Sequence, residues 1–246
     1  MNLQIDVGNT FVKWRVLDID GLVARGRERT SINVSLGEVG VWNEVTSVYI
    51  SSVASKDVND CLRRLLSEVV PTIIPIFAKS ESSFCGVLNA YKDPSQLGVD
   101  RWMAVIAGYL KYRESCFVVD CGSAITIDLI NDSGEHQGGY ILPGIELMKL
   151  SLSSGTNRVR FNGVGDVEAK YGETTSECVQ AGISFVLRSV LEGLRVRMRE
   201  EGVKRLIVTG GDGVYAGSLC QAVEYSPDLV FDGLTLLNRG GCVAGL

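Results

Sequence analysis

The sequence predicts an α/β protein built from two similar halves. An apolar strand, an Asp-x-Gly segment and a second apolar strand occur twice, around Asp6 and around Asp120. These aspartates stand almost half of the 246-residue chain apart, which indicates an internal duplication. In each half, amphipathic helices follow the strands, as in a layered α/β domain.

In the first half, apolar runs at residues 3–5, 11–17 and 47–51 predict strands, and Gly8 with Asn9 forms the first turn. Residues 22–29 could form a further strand, with Arg25, Arg27 and Arg29 alternating on a solvated face. Apolar positions at helical spacing predict a helix at 56–70, and a strand is expected at 73–77. A polar, turn-rich stretch at 80–96 precedes a second predicted helix at 98–113.

The second half repeats the pattern. Residues 116–130 contain two predicted strands on either side of the second Asp-x-Gly segment, a third strand is predicted at 135–142, and a later strand at 205–209 runs into the loop Gly210-Gly211-Asp212-Gly213. Helices are predicted at 145–152, 176–200 and 233–238. The boundary between the halves is expected near residue 115, with domains at 1–115 and 116–246.

Composition narrows the class of protein. A formal charge of -5 gives no general attraction to nucleic acid or to an anionic membrane, so neither is an expected partner. No apolar run reaches the roughly 20 residues of a membrane-spanning helix, and the N-terminus has no export signal. The seven scattered cysteines favour reduced, mostly buried thiols in the cytoplasm. The one histidine, His136, is expected in a surface turn.

The first hairpin has the chemistry of a phosphate site. Without a Cβ, Gly8 lets backbone N–H groups approach phosphate oxygens, and Asn9 and Thr10 add donors. Asp6 can hold Mg²⁺ through water, and Lys13 can reach a phosphate. The alternative is a hairpin whose turn is merely polar. The chain has neither a Walker sequence nor a Gly-x-Gly-x-x-Gly after its first strand. The Gly210–Gly213 loop would let adenosine lie against bare backbone.

A second set of residues suits the acceptor of a phosphoryl group. Asp100 and Arg101 lie together in the first turn of a predicted helix, after Gly98 and Val99. A carboxylate is favoured at this helix end, and a guanidinium binds carboxylate or phosphate in bidentate fashion. The alternative is an ordinary helix-terminal acid beside a surface arginine. Two halves that face each other would form an interdomain cleft, where ligands usually bind.

Taken together, these segments resemble type III pantothenate kinases. The resemblance covers nearly the whole chain and rests on six motifs in the same order. They are Asp6-Val7-Gly8-Asn9-Thr10, Tyr91 with Asp93-Pro94, Gly98-Val99-Asp100-Arg101, Asp120-Cys121-Gly122-Ser123-Ala124-Ile125-Thr126, Gly138-Gly139-Tyr140-Ile141-Leu142-Pro143-Gly144, and Gly172-Glu173-Thr174-Thr175.

The resemblance implies two duplicated ribonuclease H-like domains, the fold of the actin-like ATPases. It implies ATP-dependent phosphorylation of pantothenate to 4′-phosphopantothenate, the first step of coenzyme A synthesis. It also implies a requirement for Mg²⁺ and for K⁺ or NH₄⁺, and a homodimer that completes the substrate pocket across its interface.

The resemblance also implies a role for individual residues. Asp100 is the implied general base, Asp120 the ligand of the monovalent cation, and Asp6 the water-mediated Mg²⁺ ligand. The ATP-binding residues would be Asp6, Val7, Gly8, Asn9, Thr10, Phe11, Val12, Lys13 and Ser123. The pantothenate-binding residues would be Tyr91, Gly98, Val99, Asp100, Arg101 and Thr175.

The chain departs from the family pattern at two places. Ser123 replaces the usual threonine, and because a hydroxyl is kept, the contact with ATP is expected to survive. The segment Gly155-Thr156-Asn157-Arg158-Val159-Arg160 is less basic than usual. Two other functions remain open at this point: a kinase that acts on a sugar or on acetate, and a non-catalytic regulator on the same fold.

Overall fold

A computed structural model of the chain describes residues 1–37, 40–155 and 171–238. The segment 156–160, noted above for its composition, lies outside the described residues. The elements of the first half are β1 (Asn2–Val7), β2 (Phe11–Leu17), β3 (Leu22–Arg29), β4 (Ser47–Ser52), α1 (Lys56–Val69), β5 (Ile76–Phe77), β6 (Ser83–Phe84), β7 (Val87–Leu88) and α2 (Val99–Tyr112).

The remaining elements follow from residue 116. They are β8 (Cys116–Cys121), β9 (Ala124–Ile130), β10 (His136–Pro143), α3 (Ile145–Gly155), α4 (Thr175–Glu201), β11 (Arg205–Thr209), α5 (Gly213–Ser218), β12 (Glu224–Tyr225) and α6 (Leu229–Asn238).

Two five-stranded sheets share one topology. Their strand orders are β3-β2-β1-β4-β5 and β10-β9-β8-β11-β12. In each sheet, the first three strands are antiparallel neighbours, and the last two run parallel to the central strand. This arrangement confirms the internal duplication and the predicted pair of ribonuclease H-like domains.

The C-terminal helix belongs to the first of two compact units. One unit combines Met1–Tyr112 with the chain from Asp228, and the other is Arg113–Pro227. The predicted second domain, 116–246, therefore differs from the observed unit at its C-terminal end. The cause is close packing between α6 and α2, where a Cβ on Gly233 would collide with the backbone oxygen of Met103.

Helix α2 is buried on almost all sides. The sequence predicted one apolar face, but the residues from Val99 to Leu110 are all buried except Asp100, which is partly exposed. Helix α6 covers α2 on one side and strand β4 lies against another. A helix enclosed in this way needs apolar residues all round, and this one has them.

Several predicted boundaries were wrong by a few residues. Strands β1 and β8 continue through Asp6 and Asp120, so that these carboxylates lie within strands and not in turns. The polar stretch 80–96 contains the β6–β7 hairpin and a 3-10 helix, Pro94–Gln96. Helix α6 begins earlier than predicted, at Leu229. No described helix is long and apolar enough to cross a membrane.

Two predictions about single residues were also wrong. His136 is not in a surface turn but in β10, where its buried ring bonds to the carboxylate of Asp128, Nε2 to Oδ1, at 2.9 Å. Cys85 is disulfide-bonded, whereas the other cysteines of the described residues are free. Scattered spacing does not show which thiols a fold brings together, so the sequence could not reveal this bond.

Candidate active site

The turn between β1 and β2 is fixed by backbone hydrogen bonds. The N–H of Gly8 donates to the carbonyl oxygen of Phe11 at 3.0 Å. Thr30, at the end of β3, holds the turn from the side: its hydroxyl donates to the carbonyl oxygen of Gly8 at 2.8 Å, and its N–H to that of Thr10 at 2.9 Å. Sequence reasoning missed Thr30, because it is distant in sequence from the motif it supports.

Asp6 lies in a polar row that crosses three strands. It pairs with Lys13 of β2 and with Ser51 of β4. Paired residues on neighbouring strands point to the same face of a sheet, so the three side chains share one face. Asp6 and Lys13 are both partly exposed, as an anchor for a phosphate or metal ion must be.

The other residues of this hairpin divide by burial. Val7 and Val12 are core side chains, so their contribution to a ligand site can come only from the backbone. Asn9 is exposed at the turn. Phe11 stacks with two cations, because the guanidinium carbon of Arg27 lies 3.4 Å from its ring centre and that of Arg29 lies 5.8 Å away. Positive charge therefore lies beside the hairpin.

Gly98 and Asp100 form the start of α2. The carboxylate Oδ1 of Asp100 accepts a hydrogen bond from the N–H of Arg101 at 2.8 Å, and the carbonyl of Gly98 accepts one from Trp102 N–H at 3.0 Å. A Cβ on residue 98 would stand only 2.6 Å from Asp100 Oδ1. Glycine therefore leaves the room that this carboxylate occupies, in a position where the helix dipole favours an anion.

Arg101 is held inside the first unit with Tyr91. Arg101 is only 7 % exposed, and its Nη1 donates a hydrogen bond to the Tyr91 hydroxyl at 3.1 Å. The structure thus brings together two of the predicted substrate-binding residues and rules out a surface arginine. A buried guanidinium with a directed hydrogen bond is preorganised to meet a carboxylate.

The segment between Tyr91 and Gly98 is ordered by Asp93. The Asp93 carboxylate accepts hydrogen bonds from the side chain and the backbone N–H of Ser95 and caps the short helix Pro94–Gln96. Bonding to the Ser95 hydroxyl, and then to its backbone, lowers the pKa of Asp93 below its ordinary value. Asp93 therefore serves the loop that positions Tyr91 and Gly98.

Three glycine-containing loops meet around the second hairpin. Gly122 N–H donates to Ala124 O at 3.0 Å, and Gly144 N–H donates to Ser123 O at 3.2 Å. A Cβ on Gly210, which has a φ of +92°, would collide with the Asp120 carboxylate and the Cys121 carbonyl. The sequence located each loop but could not show that Gly210 lies against Asp120. Ser123 is exposed at this turn.

The donors near Asp120 are oxygen atoms. Burial, with a smaller effect from the charges of Asp120 and Asp212, raises the pKa of the Cys121 thiol to about 12, so the thiol itself stays protonated at neutral pH. Among the residues described here, no group of three or more His, Cys, Asp or Glu side chains could hold a metal ion. The described residues around Asp120 therefore offer carboxylate and carbonyl oxygens, which are the donors that hard cations prefer.

Thr175 is the exposed first residue of α4. The preceding Thr174 caps this helix, accepting from Glu177 N–H at 3.3 Å, while the Glu177 carboxylate accepts from the N–H groups of residues 173 and 174. Gly172 packs so closely on Cys178 that a Cβ would clash with its backbone. The Gly-Glu-Thr-Thr motif therefore builds the start of α4.

The duplicated units, each with an aspartate in its first strand and a glycine turn after it, define an actin-like ATPase fold. A family model for type III pantothenate kinases matches residues 2–197. Relatives with that name include proteins of Marinobacter nauticus, 32% identical over 98% of this chain and 99% of the relative, and of Hahella chejuensis, 35% identical over 96% of each. The chain belongs to the type III pantothenate kinase family.

Solved structures agree on the fold. A conserved protein from Campylobacter jejuni, provisionally assigned to the Baf family of transcriptional activators, matches with a TM-score of 0.59 and 25% identity, over 97% of this chain and 98% of its own. A Listeria monocytogenes protein, provisionally assigned as an N-acetylmannosamine kinase, matches with a TM-score of 0.52 and 10% identity, over 98% and 99% of the two chains. The second match shows the fold alone.

Proposed function

We propose that this protein transfers the γ-phosphoryl group of ATP to pantothenate and forms 4′-phosphopantothenate, the first step of coenzyme A synthesis. The observation that carries the proposal is the family match over residues 2–197, with similarly named relatives aligned over nearly their whole length. The geometry of the two hairpins and of the Tyr91–Arg101 pair supports it.

The hairpin from Asp6 to Lys13 binds the phosphates of ATP. Its glycine turn offers backbone N–H groups and its polar residues add donors. Asp6 would hold the nucleotide-bound Mg²⁺ through water, which fits a partly exposed carboxylate in a described structure where no group of three or more His, Cys, Asp or Glu side chains could hold a metal ion. That ion neutralises charge on the transferring phosphoryl group. Lys13, paired with Asp6, adds a positive charge on the same face.

Asp100 orients the acceptor hydroxyl and takes its proton. A carboxylate is a weak base towards an alcohol, but the transition state of phosphoryl transfer is loose and the proton leaves late. Arg101 and Tyr91 bind the pantothenate carboxylate and a neighbouring polar group, because their mutual hydrogen bond fixes both in advance. Gly98 and Val99 contribute the backbone at the helix start, and Thr175 adds a further contact.

The second unit carries two further residues to which we assign roles. Ser123 contacts ATP, and Asp120 binds K⁺ or NH₄⁺ together with nearby carbonyl oxygens. The close approach of Gly210 to Asp120 supports this assignment, since the space left beside the carboxylate suits a small ion. We place the reaction in the cytoplasm, where ATP is made.

We also propose that two copies form a homodimer through the exposed side of α4. Phe185 is 71% exposed there, and Gly193 has open space above its Cα. The two residues lie equally far from Ser189 along the helix, on the same outer stripe. An antiparallel pairing about a two-fold axis would therefore set Phe185 of each copy over Gly193 of its partner, as a self-complementary interface requires.

A coupled assay of ADP release tests the function. Turnover is expected with pantothenate in the presence of K⁺, with much lower rates without K⁺ and with acetate or hexoses. Faster turnover with acetate or a hexose would show that this compound, and not pantothenate, is the substrate. ATP binding without turnover on any acceptor would favour a regulator, a reading that the provisional assignment of the similar Campylobacter jejuni protein makes worth testing.

A further inference from the structure

Ser51 carries a buried hydroxyl without a partner. The residue is 0% exposed, and its Oγ has no hydrogen-bond partner among the described residues. A buried polar atom left unsatisfied costs about 1–3 kcal/mol, so such atoms are rare in native proteins and need an explanation. None of the roles proposed for the reaction involves this side chain.

The sheet register places this hydroxyl beside Asp6. Ser51 pairs with Asp6 across the parallel strands β4 and β1, and the side chains of paired residues point to one face. Neighbouring strands lie about 4.8 Å apart, which is within the reach of a hydroxyl and a carboxylate. The next residue, Ser52, points to the other face, where its hydroxyl donates to Asn59 Oδ1 at 2.6 Å. The two neighbouring serines therefore lie on opposite faces of the sheet, and only Ser51 shares a face with Asp6.

We propose that Ser51 is a positioning residue for Asp6. When magnesium-ATP is bound, the Ser51 hydroxyl donates a hydrogen bond to the Asp6 carboxylate and holds it in the orientation that the metal-bound water requires. The idea rests on the proposed function, because it assigns Asp6 to the nucleotide-bound ion. It explains why a hydroxyl occupies a fully buried position that an alanine would fill at no polar cost.

Equilibrium binding tests this role without measuring turnover. The non-hydrolysable analogue AMP-PNP is titrated by calorimetry into wild-type and Ser51→Ala protein, at several Mg²⁺ concentrations and with EDTA. Ser51→Ala is expected to weaken binding about 5- to 20-fold with Mg²⁺ and less than about twofold in EDTA. The Tm is expected to stay equal or rise, because an unsatisfied polar atom is removed.

Matched variants separate this role from a structural one. Ser52→Ala is expected to lower the Tm, because it breaks the bond to Asn59, while leaving the Mg²⁺ dependence of binding unchanged. Ser51→Thr keeps the hydroxyl and is expected to restore Mg²⁺-dependent binding. In an Asp6→Asn background, Ser51→Ala should add little, since coupled residues are not additive.

Several results would overturn the proposal. Wild-type Mg²⁺ dependence in Ser51→Ala would do so, as would equal losses with and without Mg²⁺ accompanied by a lower Tm. Full additivity with Asp6→Asn would also contradict it. Failure of the proposed function is distinguishable, because in that case the wild-type protein itself would show no Mg²⁺-dependent binding of AMP-PNP.

Discussion

At the scale of single residues, Arg101 shows how burial decides what a charged side chain can do. An exposed arginine at the start of a helix would bind any passing anion weakly. Arg101 is instead enclosed and bonded to the Tyr91 hydroxyl, so its remaining donors have fixed directions. Asp100, the neighbouring residue, remains partly exposed and can meet a substrate. One turn of helix thus places a fixed guanidinium beside an accessible carboxylate.

Asp100→Asn is expected to lower kcat by about 10²- to 10⁴-fold, the range typical of losing a general base. Asparagine keeps an oxygen that can accept the hydrogen bond from Arg101 N–H, so the start of α2 should be preserved. The Kd for ATP should change less than about twofold. The coupled assay and calorimetry measure the two quantities. Wild-type turnover in Asp100→Asn, or in Asp100→Ala, would show that the base is another group.

At the scale of elements, two glycine-containing loops pack against the strands and turn of the second hairpin. The loop after β11 brings Gly210 against Asp120 of β8, and these strands are parallel neighbours that pair Thr209 with Asp120. The loop after β10 likewise brings Gly144 against Ser123. Bare backbone from two loops therefore surrounds the second hairpin, and side chains at these glycines would occupy the same space.

Gly210→Ala is expected to destabilise the protein by about 1–3 kcal/mol, because it combines a left-handed φ with a collision at Asp120. It should also raise the K⁺ concentration needed for half-maximal activation. Gly211→Ala is the matched control, since a Cβ there meets nothing within 4 Å, and a change within about 0.5 kcal/mol is expected. Chemical denaturation and K⁺ titration measure both effects. Equal behaviour of the two variants would refute this account of the loop.

The start of α4 makes a pH-dependent contribution to stability. Hydrogen bonds from the backbone N–H groups of Glu173 and Thr174 lower the pKa of Glu177 from its ordinary value of 4.5. A carboxyl whose pKa is lower in the folded state stabilises the fold above its unfolded pKa, and this contribution is lost as the pH falls through the folded pKa.

Glu177→Gln should therefore destabilise the protein at pH 7 and have a smaller effect at an acidic pH below the ordinary carboxyl value of 4.5, since protonation of the wild-type carboxyl removes the same charge. Thermal unfolding at both pH values measures the difference. Glu200→Gln serves as the control, because it removes one carboxylate from the same helix away from its capped start. A destabilisation by Glu177→Gln that is the same at both pH values would contradict the argument.

At the scale of the whole molecule, one helix face of the second unit exposes apolar side chains in the described part of the chain. The side of α4 opposite its core residues carries Phe185 and Val196, which are 71% and 41% exposed. Large apolar side chains grouped on one face mark an interaction surface more often than scattered ones do. A second copy of the chain is the occupant that we propose, because Phe185 and Gly193 lie equally far from Ser189 on this side of the helix.

Phe185→Glu is expected to convert a dimer into a monomer at about 10 μM, since it would bury a charge over Gly193 of the partner. Light scattering coupled to size-exclusion chromatography measures the mass. Ile19→Glu is the control, because Ile19 is 99% exposed in the other unit and should leave the dimer intact. A monomeric wild-type protein, or a dimeric Phe185→Glu variant, would refute this interface.

The sequence by itself determined the elements that depend on near neighbours. Alternating apolar residues and Gly8-Asn9 located the first hairpin, and the second Asp-x-Gly segment revealed the duplication, since strand and turn preferences act over a few residues. The motifs around Asp100 and Asp120 were visible for the same reason. The structure confirmed the strands and the paired units, whereas the roles of the site residues stay predictions.

Only the tertiary structure decided which distant segments meet. It placed α6 with the first unit, buried Arg101 beside Tyr91, paired His136 with Asp128, and set Ser51 next to Asp6. The first and last of these contacts join residues far apart in the chain, whereas the Arg101–Tyr91 and His136–Asp128 pairs, ten and eight positions apart, depend on the path of the backbone between them. No local pattern encodes such contacts, because the energy that selects them arises only when the sheets and helices assemble.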